Sequence, residues 1–420
     1  MSESPQNIVL LSADALRADH LSCYGYHRDT SPILDALAEE SIQFTNAYSA
    51  SSHTREAVPA LLTGRYPDVA IDSKYNLASE SIASMLTKNG FATGGFHSNP
   101  FVSRAYGFDQ GFDVFDDDLR LGQHKLIALA QRVFDKLRNR HYARAEEINT
   151  RSLKWIDSLD DGEPFFLWNH YMDTHGPYDP PQEYLSAYRD HGATKQDLQS
   201  LYQRAIKQPE SITDDERALL IDLYDAEIRY NDEKIGAFLE ALRERDLLKQ
   251  SLLIITADHG DAFGEHGYYE HPRYLHDEIT HVPLLIHSPG TPGRTISTPV
   301  STIDIVPTIL DAIGQKTDDD RISLLSPLAK NRNVFSQVRG EKDESHLRRY
   351  ALRSSEGVGF CERDSDADTL RFEECTSASH RADLEAYIEN RVGADDNDTS
   401  VESEEVDDEI ERRLEALGYK

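Results

Sequence analysis

Cysteine is nearly absent. Cys23, Cys361 and Cys375 are the only three in 420 residues. An odd, low count supplies no disulfide framework and fits a reducing compartment. Cys361 and Cys375 could pair across a hairpin, although buried free thiols are the commoner state. Long hydrophobic runs are missing as well. The opening "MSESPQNIVLLSADALRADH" has no basic stretch ahead of its apolar segment Ile8–Leu11, which is far shorter than the core of a secretory leader. Nothing else reaches the roughly 18 apolar residues of a membrane span. These absences predict a soluble, cytoplasmic protein with no membrane span. No glycine-rich phosphate loop, heptad array or internal repeat is present.

Positive charge is also scarce. Lys and Arg number 44 against 75 Asp and Glu, a net charge of −31. Nucleic-acid binding is excluded on this balance, since phosphates demand Lys and Arg, and anionic membrane surfaces are disfavoured. Arg outnumbers Lys. Acidic excess with little Lys matches a halophilic composition, in which a Debye length of roughly 3 Å at 1 M salt relieves self-repulsion.

The segments that remain read as alternating strands and helices. "NIVLLSAD", "EPFFLWNHYM", "SLLIITADHGD" and "HVPLLIHSPG" are apolar runs of strand length, consistent with burial on both faces of a sheet. Between them lie helical patterns: one from Pro32 with Ser31 as its cap, one ended by Asn89-Gly90, "AEEINTRSLKWIDSL", Tyr224–Leu247, and "STIDIVPTILDAIG" closed by Gly314. This alternation predicts an α/β fold with a mostly parallel sheet over residues 1–315. "RRYALRSSEGVGFCERDSDADTLRFEEC" alternates at period two and predicts a small C-terminal antiparallel sheet, within 316–392. Residues 393–405 read as an acidic linker. Residues 406–420 read as an amphipathic helix with Ile410, Leu414 and Leu417 on one face.

In open α/β sheets ligands bind beyond the carboxyl ends of the strands. Asp14 ends the first strand, and Asp258 and His259 end "LLIITADHG". Alone, either carboxylate reads as a helix or turn cap. Together, on two buried strands with the same Ala-Asp ending, they suit one divalent metal ion. "ASSHTREAVPALLTGRYP" presents a hydroxyl-rich turn ahead of a helix-like run, with Thr54 standing either as the helix cap or as an attacking group.

"NIVLLSADALRADHLSCYGYHRDTSPILDALAEESIQFTNAYS", "ALLTGRYP", "GFDQGFDVF", "HYMDTHGPYDPP" and "TADHGDAFGEHG…HDEITHVPLLIHSPG", in that order, resemble the sulfatase family of the alkaline phosphatase superfamily. The resemblance implies an alkaline-phosphatase-like sheet and a metal held by Asp14, Asp258, His259 and Thr54. The family's Asp-Asp pair is Asp14-Ala15 here, so one carboxylate is missing. Sliding the chain onto "LLTGRY" places Thr54 at the nucleophile. The signal C/S-x-P-S-R for conversion to formylglycine is replaced by "TREAV", and Thr cannot become formylglycine.

By position, the resemblance implies His175 near the leaving group, as a proton donor or as a loop histidine bonded to backbone. It implies His271 near the anion, and His266 near the substrate or bracing its loop. It also implies that His97 or Asn99 covers for an absent sulfate-contacting Lys. Arg17, Asp19 and His20 look like the family's packing and helix-surface residues, outside the site. The expected activity is metal-dependent hydrolysis of an anionic ester, either a sulfate ester or a phosphodiester or phosphonate ester, with Thr54 as nucleophile. The substrate is a small anionic ester or a sulfated or phosphorylated glycan, and the metal is Ca, Mn or Zn. The alternatives are transfer of a phosphoryl-linked headgroup to glycan or lipid, and a catalytically degenerate binding protein.

Overall fold

The computed structural model describes residues 5–118, 142–189, 192–315 and 321–391. Both the acidic 393–405 stretch and the 406–420 helix expected from the sequence lie outside these residues.

An eight-stranded sheet forms the centre. Its order is Arg294–Ile296, Ile42–Phe44, Leu284–His287, Ser251–Ala257, Asn7–Ala13, Phe165–Tyr171, Ala92–Phe96 and Val114–Asp116. Three strands that the sequence marks as apolar runs occupy the middle, and every residue in them is buried. Asn7–Ala13 runs parallel to both neighbours. Leu284–His287 is the exception to the parallel arrangement, running antiparallel to Ser251–Ala257 and to Ile42–Phe44. Helices cover the sheet, and the resulting core runs continuously from Ile8 to Leu324.

The register of the central strands brings their ends into line. Ser12 lies opposite His170 and Thr256, and Ala13 lies opposite Tyr171 and Ala257. The three strands therefore end level, and the next residue of each emerges at one edge. Backbone bonds extend the ladder one step further, from Asp14 N to Tyr171 O at 2.8 Å and from Asp258 N to Ala13 O at 3.3 Å.

Several local readings need correction. The long helix spans Asp214–Glu244 and begins ten residues before Tyr224, because Thr213 and Glu216 form a reciprocal capping box. Ser31 precedes helix Pro32–Glu39 but makes no capping bond. Its hydroxyl turns to Asp35 at 3.2 Å. The orphan amides of Ile33 and Leu34 donate instead to the Asp232 carboxylate, at 3.0 and 2.9 Å, from the long helix. All three cysteines are free thiols. Cys361 lies opposite Phe372, and Cys375 lies opposite Gly359, so the two are not paired across the ladder.

The second sheet is a four-stranded antiparallel meander, Val334–Arg339, Leu347–Ser354, Gly357–Asp364 and Thr369–Cys375, backed by helix Ala378–Glu389. It is tied directly to the main unit. Gln337 N donates to Ala50 O at 2.9 Å, and Ser336 Oγ donates to Ser49 O at 2.6 Å. Arg353, 2 % exposed, donates to Leu275 O at 2.6 Å and pairs with Asp277 at 2.8 Å. Among the described residues no helix is long and apolar enough to cross a membrane.

Replacing Asp232 by Ala is expected to cost about 1–2 kcal/mol in urea unfolding, the range for a lost helix cap. Burial pushes the Asp232 carboxyl up to about 7, against the pull of the Ile33 and Leu34 amides. A raised carboxyl stabilises the fold most below its unfolded value and loses that contribution as pH climbs through about 7. The stability advantage of wild type over Asp232→Asn should therefore shrink between about pH 4 and pH 7.

Candidate active site

The level strand ends place Asp14 and Asp258 side by side with no solvent exposure to speak of. Ala15 turns the chain with a φ of 57°, an uncommon conformation for a residue with a side chain. That turn lets its amide donate to Asp258 Oδ1 at 3.2 Å. Asp258 Oδ1 also accepts from His259 N at 2.9 Å, while Asp258 Oδ2 has no hydrogen-bond partner. Asp14 is divided in the same way. Its Oδ2 accepts from Asn99 Nδ2 at 2.6 Å and faces His170 Nε2 at 3.2 Å, while Oδ1 has no partner.

The two unbonded oxygens converge. His259 Nε2 stands 3.6 Å from Asp14 Oδ1 and 3.5 Å from Asp258 Oδ2. Its other nitrogen faces Gly260 O at 3.1 Å. A carbonyl only accepts, so Nδ1 carries the hydrogen and Nε2 is left with a lone pair. The hydroxyl of Thr54 lies 3.0 Å from that nitrogen and 3.5 Å from Asp14 Oδ2. Orphaned buried oxygens of this kind are costly unless something is bound to them. Two carboxylates, one imidazole and one hydroxyl, all buried, fit a divalent cation. Burial and the neighbouring Asp14 push Asp258 up. Burial would also raise Asp14, but His175, His170 and His259 hold it well below the usual carboxylate range.

Thr54 is the first residue of helix Thr54–Thr63 and not its cap. His53 caps, its Nδ1 accepting from Arg55 N at 3.2 Å. The Thr54 hydroxyl is thereby released from the helix end and points at the strand edge, where the helix terminus adds partial positive charge. Glu56, fully buried, anchors the first turn through Arg273 at 2.7 Å and Ser51 at 3.3 Å. The turn sits in a positive field: burial, Arg273, His271 and Arg55 together drive the His53 imidazole well below its ordinary value. Arg55 lies over the Phe101 ring at 4.2 Å.

The remaining sequence candidates separate into three groups. His175 and His271 join the site, their rings 5.0 Å apart, with His271 4.3 Å from the His259 ring. His175 Nδ1 donates to Gly176 O at 2.5 Å, the backbone bond expected of a loop histidine. His271 Nδ1 donates to Asp261 Oδ1 at 2.7 Å. Burial and His259 bring His271 down to about 4 despite Asp261, so the ring is neutral at neutral pH. Asn99 reaches the site through Asp14. His97 turns away: its Nδ1 accepts from Asn99 N at 3.2 Å and its ring packs 5.0 Å from Phe115 and 5.4 Å from Trp168. His266 stacks on His276 and approaches Glu278, in a separate cluster. Arg17, Asp19 and His20 pack as expected, Arg17 holding Asp19 and Glu265, and His20 bonding Asp225.

Three site residues escape the sequence reading. His170 closes a relay: Trp168 Nε1 donates to Ser12 Oγ at 2.9 Å, Ser12 meets His170 Nδ1 at 2.9 Å, and Nε2 is left to donate to Asp14. Its signal is a polar pair, Asn169-His170, near the end of an otherwise apolar strand. Asp261 orients His271 and accepts from Tyr178 at 2.7 Å. The third is the cap, His53.

A family profile for sulfatases matches residues 6–315. The chain belongs to the sulfatase family. Among its relatives, the uncharacterized sulfatase YidJ of Escherichia coli strain K12 is 25% identical over 338 residues, covering 72% of this chain and 67% of the relative. The choline-sulfatase of Rhizobium meliloti strain 1021 is 24% identical over 396 residues, covering 84% and 76%. Solved structures share the fold. A protein bound to its substrate, D-glucosamine-2-N,6-O-disulfate, superposes with a TM-score of 0.72 at 18% identity, covering 96% of this chain and 100% of that one. The phosphonate monoester hydrolase of Agrobacterium radiobacter gives 0.70 at 18% identity, covering 93% and 95%. Members of the wider superfamily use a divalent metal, consistent with the Asp14, Asp258 and His259 grouping.

Mn²⁺ at 100 times its dissociation constant is expected to stabilise the protein by about 2.7 kcal/mol, read as a rise in unfolding temperature that a chelator reverses. Asp258→Asn should abolish most of that rise.

Proposed function

We propose that the protein is a metal-dependent hydrolase of anionic esters with Thr54 as its nucleophile. One observation carries the reading: a helix-leading hydroxyl released from capping lies 3.0 Å from His259 Nε2, at the point where the two orphaned carboxylate oxygens converge. Asp14, Asp258, His259 and Thr54 would hold the ion. A divalent cation there supplies the charge that favours the alkoxide form of a bound hydroxyl.

The chain's own groups do the rest. Thr54 Oγ1, its hydroxyl proton released to water, attacks the sulfur or phosphorus and forms a covalent ester, while the bond to the leaving alcohol oxygen breaks. His175, its Nδ1 held by Gly176 O, gives that oxygen a proton from Nε2. Neutral His271, oriented by Asp261, is placed to contact the anion. Arg55 supplies positive potential beside Thr54, which draws an anion into a chain of net charge −31. Lacking a second geminal hydroxyl, the threonine ester is resolved by water or by an acceptor alcohol.

Thr54 and the absent formylglycine signal favour a phosphodiester or phosphonate ester over a sulfate ester. The fold shared with a phosphonate monoester hydrolase and with a protein bound to a disulfated sugar is compatible with a small ester, free or on a glycan. Imidazole in the donor set and Ala15 at the place of a second carboxylate favour Mn²⁺ or Zn²⁺ over Ca²⁺, which seeks six to eight oxygens. The acidic composition supports optimal activity in concentrated KCl.

The test is a panel of aryl sulfate, aryl phosphate, bis-aryl phosphate and aryl phosphonate esters in molar KCl. The diester or phosphonate is expected to turn over fastest. Thr54→Ala should lose on the order of 10³-fold or more in kcat, and Thr54→Ser should keep measurable turnover. Equal rates for wild type and Thr54→Ala would remove Thr54 from the reaction.

A further inference from the structure

His175 stands on a loop, residues 173–179, that follows strand Phe165–Tyr171. The middle of the loop is bonded to the strand edge and to the site. The Thr174 hydroxyl donates to Asp14 O at 2.6 Å, and Tyr178 donates to Asp261 Oδ2 at 2.7 Å. The two ends are bonded elsewhere, and both lead to Arg144.

Arg144 spends each arm of its guanidinium on a different partner. Nε donates to Asp173 Oδ1 at 2.8 Å, where the loop starts. Nη1 donates to Asp179 O at 3.0 Å, where it ends. Nη2 donates to Glu227 Oε2, and the other Glu227 oxygen accepts from Asp179 N at 2.9 Å. Both backbone groups of Asp179 are thereby held, the carbonyl by Arg144 and the amide through Glu227. Asp173 Oδ2 accepts from Ala145 N at 3.0 Å, an orphan amide at the start of helix Ala145–Ile156, and from Asn231 Nδ2 at 3.4 Å. The Asp173 and Glu227 side chains have no exposure, and that of Arg144 has 15%. The guanidinium lies over the Tyr230 ring, 4.2 Å from its centroid.

We propose that Arg144 is a positioning residue for His175, holding both ends of the loop that presents the imidazole. The role rests on His175 being the proton donor of the proposed reaction. The bonds that orient His175 are local, from Nδ1 to Gly176 O and from its amide to Met172 O, so the ring moves with the loop. Proton transfer requires the donor within hydrogen-bond reach of the leaving oxygen, and a displacement of about 1 Å costs on the order of 10²-fold in rate. An ion pair made only for stability needs one carboxylate. This arrangement uses three directions at once, which a planar guanidinium supplies and the point charge of a Lys does not.

The test compares kcat/KM for the phenyl and 4-nitrophenyl esters of one phosphonate, using the full chain with Mn²⁺ in molar KCl. This ratio follows formation of the threonine ester, the step in which the leaving oxygen departs. Phenoxide needs a proton to depart, whereas 4-nitrophenoxide, a far weaker base, does not. Alanine at Arg144 would strand two buried carboxylates, so the variant is Arg144→Lys, which keeps a positive charge beside them. It is expected to lose on the order of 10²-fold on the phenyl ester and less than about threefold on the 4-nitrophenyl ester. Asp173→Asn, which keeps the shape of the side chain, should show the same selectivity with a smaller loss. A damaged fold or a lost metal lowers both esters alike. Equal losses on the two esters in both variants, or no loss in either, overturn the positioning role. His175→Gln separates that failure from failure of the donor assignment. A selective loss in His175→Gln beside equal losses in Arg144→Lys and Asp173→Asn overturns the role of Arg144 alone. Equal losses on the two esters in His175→Gln remove His175 as the donor, and the role of Arg144 falls with it.

Discussion

Two carboxylates are forced together by strand register. Asn7–Ala13 and Ser251–Ala257 are locked in step by a ladder of parallel pairs ending at Ala13 and Ala257, so the next residues, Asp14 and Asp258, have no separate place to go. Two carboxylates whose oxygens lie within 4.8 Å of one another repel when both are charged, and neither side chain reaches water. Protein donors relieve half of each carboxylate. Asn99 and His170 serve Asp14 Oδ2, while the amides of Ala15 and His259 serve Asp258 Oδ1. The other half is left facing His259 Nε2. The donors are thus placed to leave an acidic point at the strand edge, and a cation is the group that point suits.

The surrounding histidines are held in defined tautomers by groups that only accept. Gly260 O holds His259, Gly176 O holds His175, and Asp261 holds His271. In each case Nδ1 carries a hydrogen, and for His259 this leaves the Nε2 lone pair facing Asp14 and Asp258. Ring contacts of 4.3–5.8 Å among His53, His175, His259 and His271 make a compact imidazole cluster. Buried together, such rings disfavour one another's protonated forms, which is why His271 and His53 fall below their ordinary range. The cluster therefore offers lone pairs more readily than positive charge, and positive charge comes from Arg55 nearby.

Much of this was legible in the chain. The buried strands were visible as apolar runs, and the shared Ala-Asp ending pointed to one edge, because parallel strands deliver their carboxyl ends together. What stayed hidden depends on contacts between segments distant in sequence. Asp232 caps a helix roughly 200 residues earlier in the chain, and no local pattern announces that. His170 read as part of an apolar strand, and only register with Ser12 aims it at Asp14. His97 and His266 lie in the right motifs, yet aromatic packing turns His97 away, and stacking on His276 takes His266 into another cluster. The reversed direction of Leu284–His287 was equally invisible, since an apolar run carries no sign of its orientation.

The position of Thr54 shows how a small shift in helix start changes what a residue can do. At an N-cap, the hydroxyl oxygen accepts from an amide of the first turn, and its lone pairs are committed to the helix. Here that task falls to His53, whose Nδ1 takes the Arg55 amide. Thr54 moves to the first helical position, still within the positive end of the helix but with no backbone partner for its oxygen. Glu56, buried and bonded to Arg273 and to the Arg339 amide, ties that turn to the loop after His271 and to the first strand of the C-terminal sheet. The orientation of one hydroxyl is thus held by three regions of the chain. Residues 334–339, although remote from the strand edge in sequence, belong to the frame that aims it.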